Sequence, residues 1–195
     1  MIKDINKIKV IAEIGQAHEG SLAIALSYVE AVAKAGADAV KFQTHFANAE
    51  SSNEDRFRKK NQYIKDKSRY DYWKRTEFTL EQWKIIKKFA EKNKLVFMSS
   101  PFSIKAAKDL NKMKIKAWKI GSGEINNYPM LEYIAKTKKP IFLSTGLSNY
   151  KEISDSIKFL KKYNSKIILM QCTSLYPCPK NKVGLNVINE FINRF

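Results

Sequence analysis

Apolar residues in this chain fall into short unbroken runs, separated by longer stretches where they recur every third or fourth position. The runs are KVIAEIG (9–15), AVKFQTH (39–45), LVFMSSP (95–101), AWKIGSG (117–123), PIFLSTG (140–146) and KIILMQC (166–172). They are near-continuously apolar rather than alternating, the pattern of parallel strands buried on both faces. The stretches between them predict helices. SLAIALSYVEAVAKAG (21–36) opens on a serine that can cap its first turn and closes at Gly36. TLEQWKIIKKFAEKN (79–93) places apolar residues at 80, 83, 86 and 89. SIKAAKDLNKM (103–113) begins with the candidate cap Ser103, and YPMLEYIAKT (128–137) has proline in its first turn. NYKEISDSIKFLKKYN (149–164) follows, and a last helix begins near Gly184.

Strands alternating with helices predict an α/β fold with a parallel sheet. The third, fourth and fifth strands start about 22 residues apart, a compact βα repeat. Two architectures fit: a doubly wound open sheet and a (β/α)8 TIM barrel. A full barrel takes about 250 residues. At this repeat length 195 residues hold about six units, and the chain stops at NEFINRF without a helix cap. The expectation is one barrel domain over 1–195, truncated to about six βα units. One connection is unusually long, residues 46–78, rich in charge and aromatics. A loop of that length is either functional or a surface insertion. Its aromatics (Phe57, Tyr63, Tyr70, Tyr72, Trp73) favour a packed lid.

Composition narrows the class. The 44% apolar share suits a globular chain. No apolar run approaches the roughly 18 residues of a membrane span, so no membrane role is expected. The opening MIKDINKIKVIAEIG has its apolar part cut by Glu13 and reads as a first strand, not a signal peptide. Cys172 and Cys178 are too few and too oddly spaced for a zinc site or a disulfide framework, which points to a reducing cytoplasm. Net charge is +17, from 36 basic and 19 acidic side chains. An anionic partner and a solvated lysine-rich surface both explain it. The basic residues are spread along the chain, so the bulk charge is a weak guide and individual lysines carry more. A basic nucleic-acid module using 46–78 is the rival reading, and the less favoured one.

Polar residues collect where the strands end. Glu13, His18 and Glu19 follow from the first strand, Lys41 and Gln43 from the second, and Ser99 and Ser100 from the third. Lys119, Ser122 and Glu124 come from the fourth, Ser144 and Thr145 from the fifth, and Thr173, Ser174 and Tyr176 from the sixth. Ligands of parallel α/β folds bind at the carboxyl ends of the strands. Lys41 and Lys119 sit between apolar neighbours, VKF and WKI. If they point inward, their ammoniums are desolvated and call for an anion. Ser100, Ser122 and Ser144 can donate hydroxyl hydrogen bonds to a phosphate or carboxylate. Glu13 and Glu124 are candidate acid/base groups or sugar-hydroxyl ligands, and equally candidate ion-pair partners of the two lysines. His18 and His45 are not spaced as a metal motif, and either can be a packing residue.

The runs IAEIGQAHEGS, GADAVKFQTH, FMSSPFS, WKIGSGEINNYPML, PIFLSTG and QCTSLYPCP, in that order, closely resemble the sialic acid (N-acetylneuraminate) synthases and their legionaminate and pseudaminate synthase relatives. The resemblance covers nearly the whole chain. It implies a (β/α)8 barrel followed by a small antifreeze-like domain. The implied reaction condenses phosphoenolpyruvate with an N-acetylated amino sugar to a nonulosonic acid and phosphate. By motif, the implied phosphoenolpyruvate site is Lys41, Ser100, Lys119, Ser122, Ser144 and Ser174, and the implied sugar site is Glu13, Gln43, Glu124 and Tyr176. Glu13, Glu124 and Lys119 are the expected catalytic groups. Ser100 stands where Thr is common and Ser174 where Asn can occur. QAHEG replaces an asparagine-histidine pairing, and Gln171 replaces a common His. The family's divalent metal, Mn or Mg, is implied to be held by two histidines beyond Phe195. The expectation is therefore no metal ligand within the chain, little activity for the chain alone, and a homodimer at full length.

Overall fold

The structure, a computed structural model, describes residues 8–57 and 65–195. In chain order the elements are β1 (Ile11–Gly15), α1 (Leu22–Lys34), β2 (Ala39–Thr44), α2 (Ala47–Glu50), α3 (Arg69–Thr76), α4 (Leu80–Lys92), β3 (Val96–Pro101) and α5 (Ile104–Lys112). They continue as β4 (Trp118–Ile120), α6 (Tyr128–Lys136), β5 (Ile141–Ser144), α7 (Tyr150–Lys161), β6 (Ile167–Met170) and α8 (Val187–Arg194). The chain divides into two compact units, one through Lys116 and one from Ala117 onward.

The first unit holds a parallel sheet of order β1-β2-β3. Caps begin its helices where the sequence places them. The Ser21 hydroxyl accepts from the Ile24 amide, and Thr79 and Gln82 form a capping box at α4. Ser103 accepts from the Ala106 amide at α5. The core is aromatic: Trp83 meets Phe42 and Phe78 edge-on, with centroids 5.8 and 5.1 Å away. His18 belongs to this core, fully buried and stacked on Phe78 at 4.5 Å. Its Nδ1 accepts from the Gly20 amide.

Burial, aided by the charge of His45, lowers the His18 pKa from 6.5 to about 4. The unfolded chain therefore takes up this proton near pH 6.5 and the folded chain only near 4. Stability is expected to fall as pH drops through that window and to level off below it, a loss on the order of 3 kcal/mol. Urea unfolding at several pH values checks this, and His18→Phe should flatten that limb.

The second unit holds a parallel sheet of order β4-β5-β6. Its core is Trp118, Ile120, Ile141 and Leu143 under Met130, Leu131, Ile134 and Leu160. Asn127 caps α6, which has proline in its first turn, and Asn149 with Glu152 forms a capping box at α7. In each sheet the strands follow sequence order, as in a barrel. A doubly wound sheet would show a reversal.

Three expectations change. β6 is half-exposed along its length rather than buried on both faces. The only ladder it makes among the described residues is with β5, and an edge strand leaves more side chain in water. The fourth strand ends at Ile120 instead of 123. The 46–78 connection is not a plain loop, because α2 and α3 lie within it. Ser68 and Asp71 cap α3 reciprocally. Its aromatics do pack: Tyr72 contacts both Phe57 and Trp73. Tyr63 lies outside the described residues.

Candidate functional site

In the first unit, register sets the candidate residues on one face. Glu13 is opposite Lys41 across β1 and β2, and Gln43 is opposite Ser100 across β2 and β3. Side chains two apart on a strand share a face, as do in-register neighbours on parallel strands. Lys41 does not snorkel to solvent. Its side chain is 8% exposed and forms an ion pair with the half-exposed Glu13 carboxylate. Ser100 is buried. A slip in pairing between Glu13 and Gly15 ends the ladder, and Gly15 takes a positive φ of 56°. A Cβ on Gly15 would sit 3.4 Å from Glu13 Oε1 and 3.6 Å from Gln43 Nε2. Glycine therefore keeps open a notch flanked by a carboxylate and an amide.

In the second unit, Lys119 is buried in the middle of β4, yet its Nζ reaches the strand ends. It donates to Ser144 Oγ at 2.5 Å and to the Ile120 carbonyl at 3.1 Å. Burial lowers its pKa below the usual lysine value, opposed by the Cys172 sulfur. Both acceptors are uncharged, so this ammonium is held ready for an anion. Ser122 and Glu124 lie in a 3-10 turn after β4 rather than on the strand, because the Glu124 amide closes back on the Gly121 carbonyl. Ser122 Oγ accepts from the Gly146 amide, and Glu124 accepts from Asn127 Nδ2 at 2.8 Å. Gly146 permits the tight approach of the chain after β6, since a Cβ there would lie 2.7 Å from Ser174 Oγ. Ser174 and Tyr176 are exposed, Tyr176 at 90%. Neither is drawn into the lysine-serine cluster by a hydrogen bond to it.

Sequence reasoning missed Cys172, whose Sγ donates to Ser144 Oγ at 3.2 Å. Its place as the last residue of the sixth strand run was the available signal. It also missed the contact of His45 with Gln43, which their two-residue spacing on one strand run could have announced.

The described residues do not fit a divalent-metal centre. No group of three or more His, Cys, Asp or Glu side chains among them is arranged to hold an ion. His18 is enclosed by aromatics, and His45 is stacked between Trp73 and Phe102. No helix among them is long and apolar enough to cross a membrane.

Comparison with known proteins gives the family and the fold. The NeuB family model matches residues 28–195. An uncharacterised protein of Methanocaldococcus jannaschii is 40% identical over 187 residues, covering 95% of this chain and 52% of the relative. The N,N'-diacetyllegionaminic acid synthase of Campylobacter jejuni is 35% identical, covering 98% of this chain and 59% of that one. The chain thus spans about half the length of the curated relatives it matches. The crystal structure of N-acetylneuraminic acid (sialic acid) synthetase from Leptospira borgpetersenii, in complex with citrate, superposes with a TM-score of 0.85. It is 27% identical, over 97% of this chain and 62% of that one. The fold class is α/β, with six βα units of the (β/α)8 barrel type.

Proposed function

Because the chain belongs to the NeuB family, we propose that it carries the substrate-holding residues of a nonulosonic acid synthase. That enzyme joins phosphoenolpyruvate to an N-acetylated amino sugar and releases phosphate. The observation that carries the reading is Lys119: a buried ammonium at a strand end, bonded to a serine hydroxyl and a carbonyl, with no carboxylate among those bonds. The N,N'-diacetyllegionaminic acid synthase and the sialic acid synthetase to which the chain is similar support the reaction class.

In this reading Lys41 and Lys119 neutralise the phosphate and carboxylate of phosphoenolpyruvate, with Ser100, Ser122, Ser144 and Ser174 donating to their oxygens. Glu13, Gln43, Glu124 and Tyr176 take the sugar. The methylene carbon of the enol attacks the aldehyde carbon of the open-chain sugar, and the aldehyde oxygen gains a proton to become a hydroxyl. Water adds to the neighbouring carbon, where positive charge develops, and gives up a proton. The tetrahedral intermediate then expels phosphate by C–O cleavage. Glu13 and Glu124 are the carboxylates available for the two proton movements. The lysines act by orientation and fixed charge, which cost no reorganisation during the reaction. A divalent metal and a homodimer belong to the longer protein in this reading, and no step here is assigned to the metal.

The 195-residue chain alone is expected to bind phosphoenolpyruvate but to release little phosphate when N-acetylmannosamine and Mn are added. Calorimetry reads the first and a phosphate assay the second. Absence of binding would overturn the site assignment. Sustained turnover would overturn the expectation of inactivity and leave the site assignment standing.

A further inference from the structure

Gln43 is gripped from behind by a second polar group. His45, 4% exposed, lies between Trp73, with centroids 3.8 Å apart and planes at 6°, and Phe102, at 4.1 Å and 18°. These stacks fix the plane of the imidazole. Two hydrogen bonds fix its rotation within that plane: Nδ1 lies 2.5 Å from Glu50 Oε1, and Nε2 lies 3.3 Å from Gln43 Oε1. The far end of the Gln43 amide, Nε2, then faces the notch at Gly15 beside Glu13.

We infer that His45 is a positioning residue for the sugar. Its Nε2–H holds the Gln43 carbonyl so that the amide NH2 faces the substrate, and one proton shared with Glu50 decides that polarity. The inference rests on the reading of Gln43 as a sugar ligand, and it names the ligand feature selected: a carbonyl-type oxygen that accepts but cannot donate.

The proton count gives two equivalent forms. Either Nδ1 carries the shared hydrogen toward an ionised Glu50, or Glu50 carries it and Nδ1 accepts. In both, Nε2 keeps its hydrogen for Gln43. Loss of one proton from the pair leaves Nδ1–H on the carboxylate and a bare Nε2. That lone pair repels Gln43 Oε1, so the amide must turn over and present its carbonyl to the substrate. Burial raises the Glu50 carboxyl above its usual range, with the His45 hydrogen bond opposing. Other charged groups nearby are Arg69, 5.8 Å from the Trp73 ring centre, Glu77, which accepts from the Ala47 amide, and Lys105 over Phe46. His18 is neutral near pH 7 and adds no charge.

Nitrogen NMR of the histidine- and glutamine-labelled chain between about pH 5 and 8 tests the device. Nε2 should be the protonated nitrogen of His45 while the His45–Glu50 pair holds both its hydrogens, and the Gln43 NH2 signals should move when one is lost. A bare Nε2 throughout would overturn the inference. In phosphoenolpyruvate-saturated protein, His45→Phe keeps the aromatic stack and removes both ring nitrogens. N-acetylmannosamine affinity should drop about tenfold more than phosphoenolpyruvate affinity does. Glu50→Gln should retain sugar affinity at low pH and lose its pH dependence. Equal weakening of both ligands by His45→Phe would mean a packing role and refute the proposal. No sugar binding by the wild type would remove its premise, and failure of phosphoenolpyruvate to bind would count only against the anion reading. If His45→Phe does not fold, the wild-type titration decides.

Discussion

Replacing Lys119 by methionine is expected to make the protein more stable at pH 7, by roughly 1–4 kcal/mol, while strongly weakening phosphoenolpyruvate binding. The side chain is 7% exposed and bonds to two uncharged oxygens. Its desolvation is therefore offset only in part, and a methionine of similar length fills the space without that cost. The pH dependence identifies the cause. Burial lowers the folded-state pKa from 10.5. Below the folded pKa both states are protonated and the penalty is fully present. Between it and 10.5 the unfolded chain binds more protons, so wild-type stability rises with pH across that window. Lys119→Met should lack that rise. Urea unfolding of both proteins as pH is raised toward 10 gives the comparison. Equal slopes would mean that the ammonium is solvated. The affinity loss should reach about a hundredfold, the scale for losing one partner of a desolvated charge pair.

Glu13→Gln is expected to act in the opposite sense on the two substrates. The Glu13 carboxylate forms an ion pair with Lys41. An anionic ligand must share that ammonium with it. Removing the negative charge while keeping the shape should tighten phosphoenolpyruvate about fivefold, near 1 kcal/mol for a half-exposed pair. The ligand-free protein should lose about 1 kcal/mol, because the Lys41 ammonium then meets a neutral amide where it had a carboxylate. Phosphoenolpyruvate should therefore raise the melting temperature more in the variant than in the wild type. Sugar affinity should fall, since a carboxylate acceptor is gone from the notch at Gly15. Weaker phosphoenolpyruvate binding in Glu13→Gln would mean that Glu13 supports the anion rather than competing with it.

Much of the scaffold was legible because its signals are local. The six apolar runs became β1 to β6, and Ser21, Thr79 and Ser103 cap helices at the predicted starts. α2 and α3 were not legible. α2 is a single turn, and α3, RYDYWKRT, has no apolar stripe, so its helix rests on the Ser68 cap and on Trp73 covering His45. The end of β4 was missed because strand and 3-10 turn read alike through Gly121 and Gly123, and only the backbone bond from Glu124 to Gly121 separates them. In the candidate site, the inward course of both lysines was legible from their apolar flanks. The pairing of Lys41 with Glu13 stood among the open alternatives. Cys172 on Ser144 depends on side-chain reach between neighbouring strands, which residue spacing does not encode, whereas His45 and Gln43 share a strand face and could have been paired from their spacing.

Titration of phosphoenolpyruvate into the wild-type chain, Lys41→Ala and Lys119→Ala by calorimetry tests most directly whether these strand-end lysines hold the anion. The expected result is one saturable site in the wild type, weakened at least about tenfold by either substitution, with each variant still melting cooperatively. Undiminished affinity in both variants, or no binding by the wild type, would contradict it.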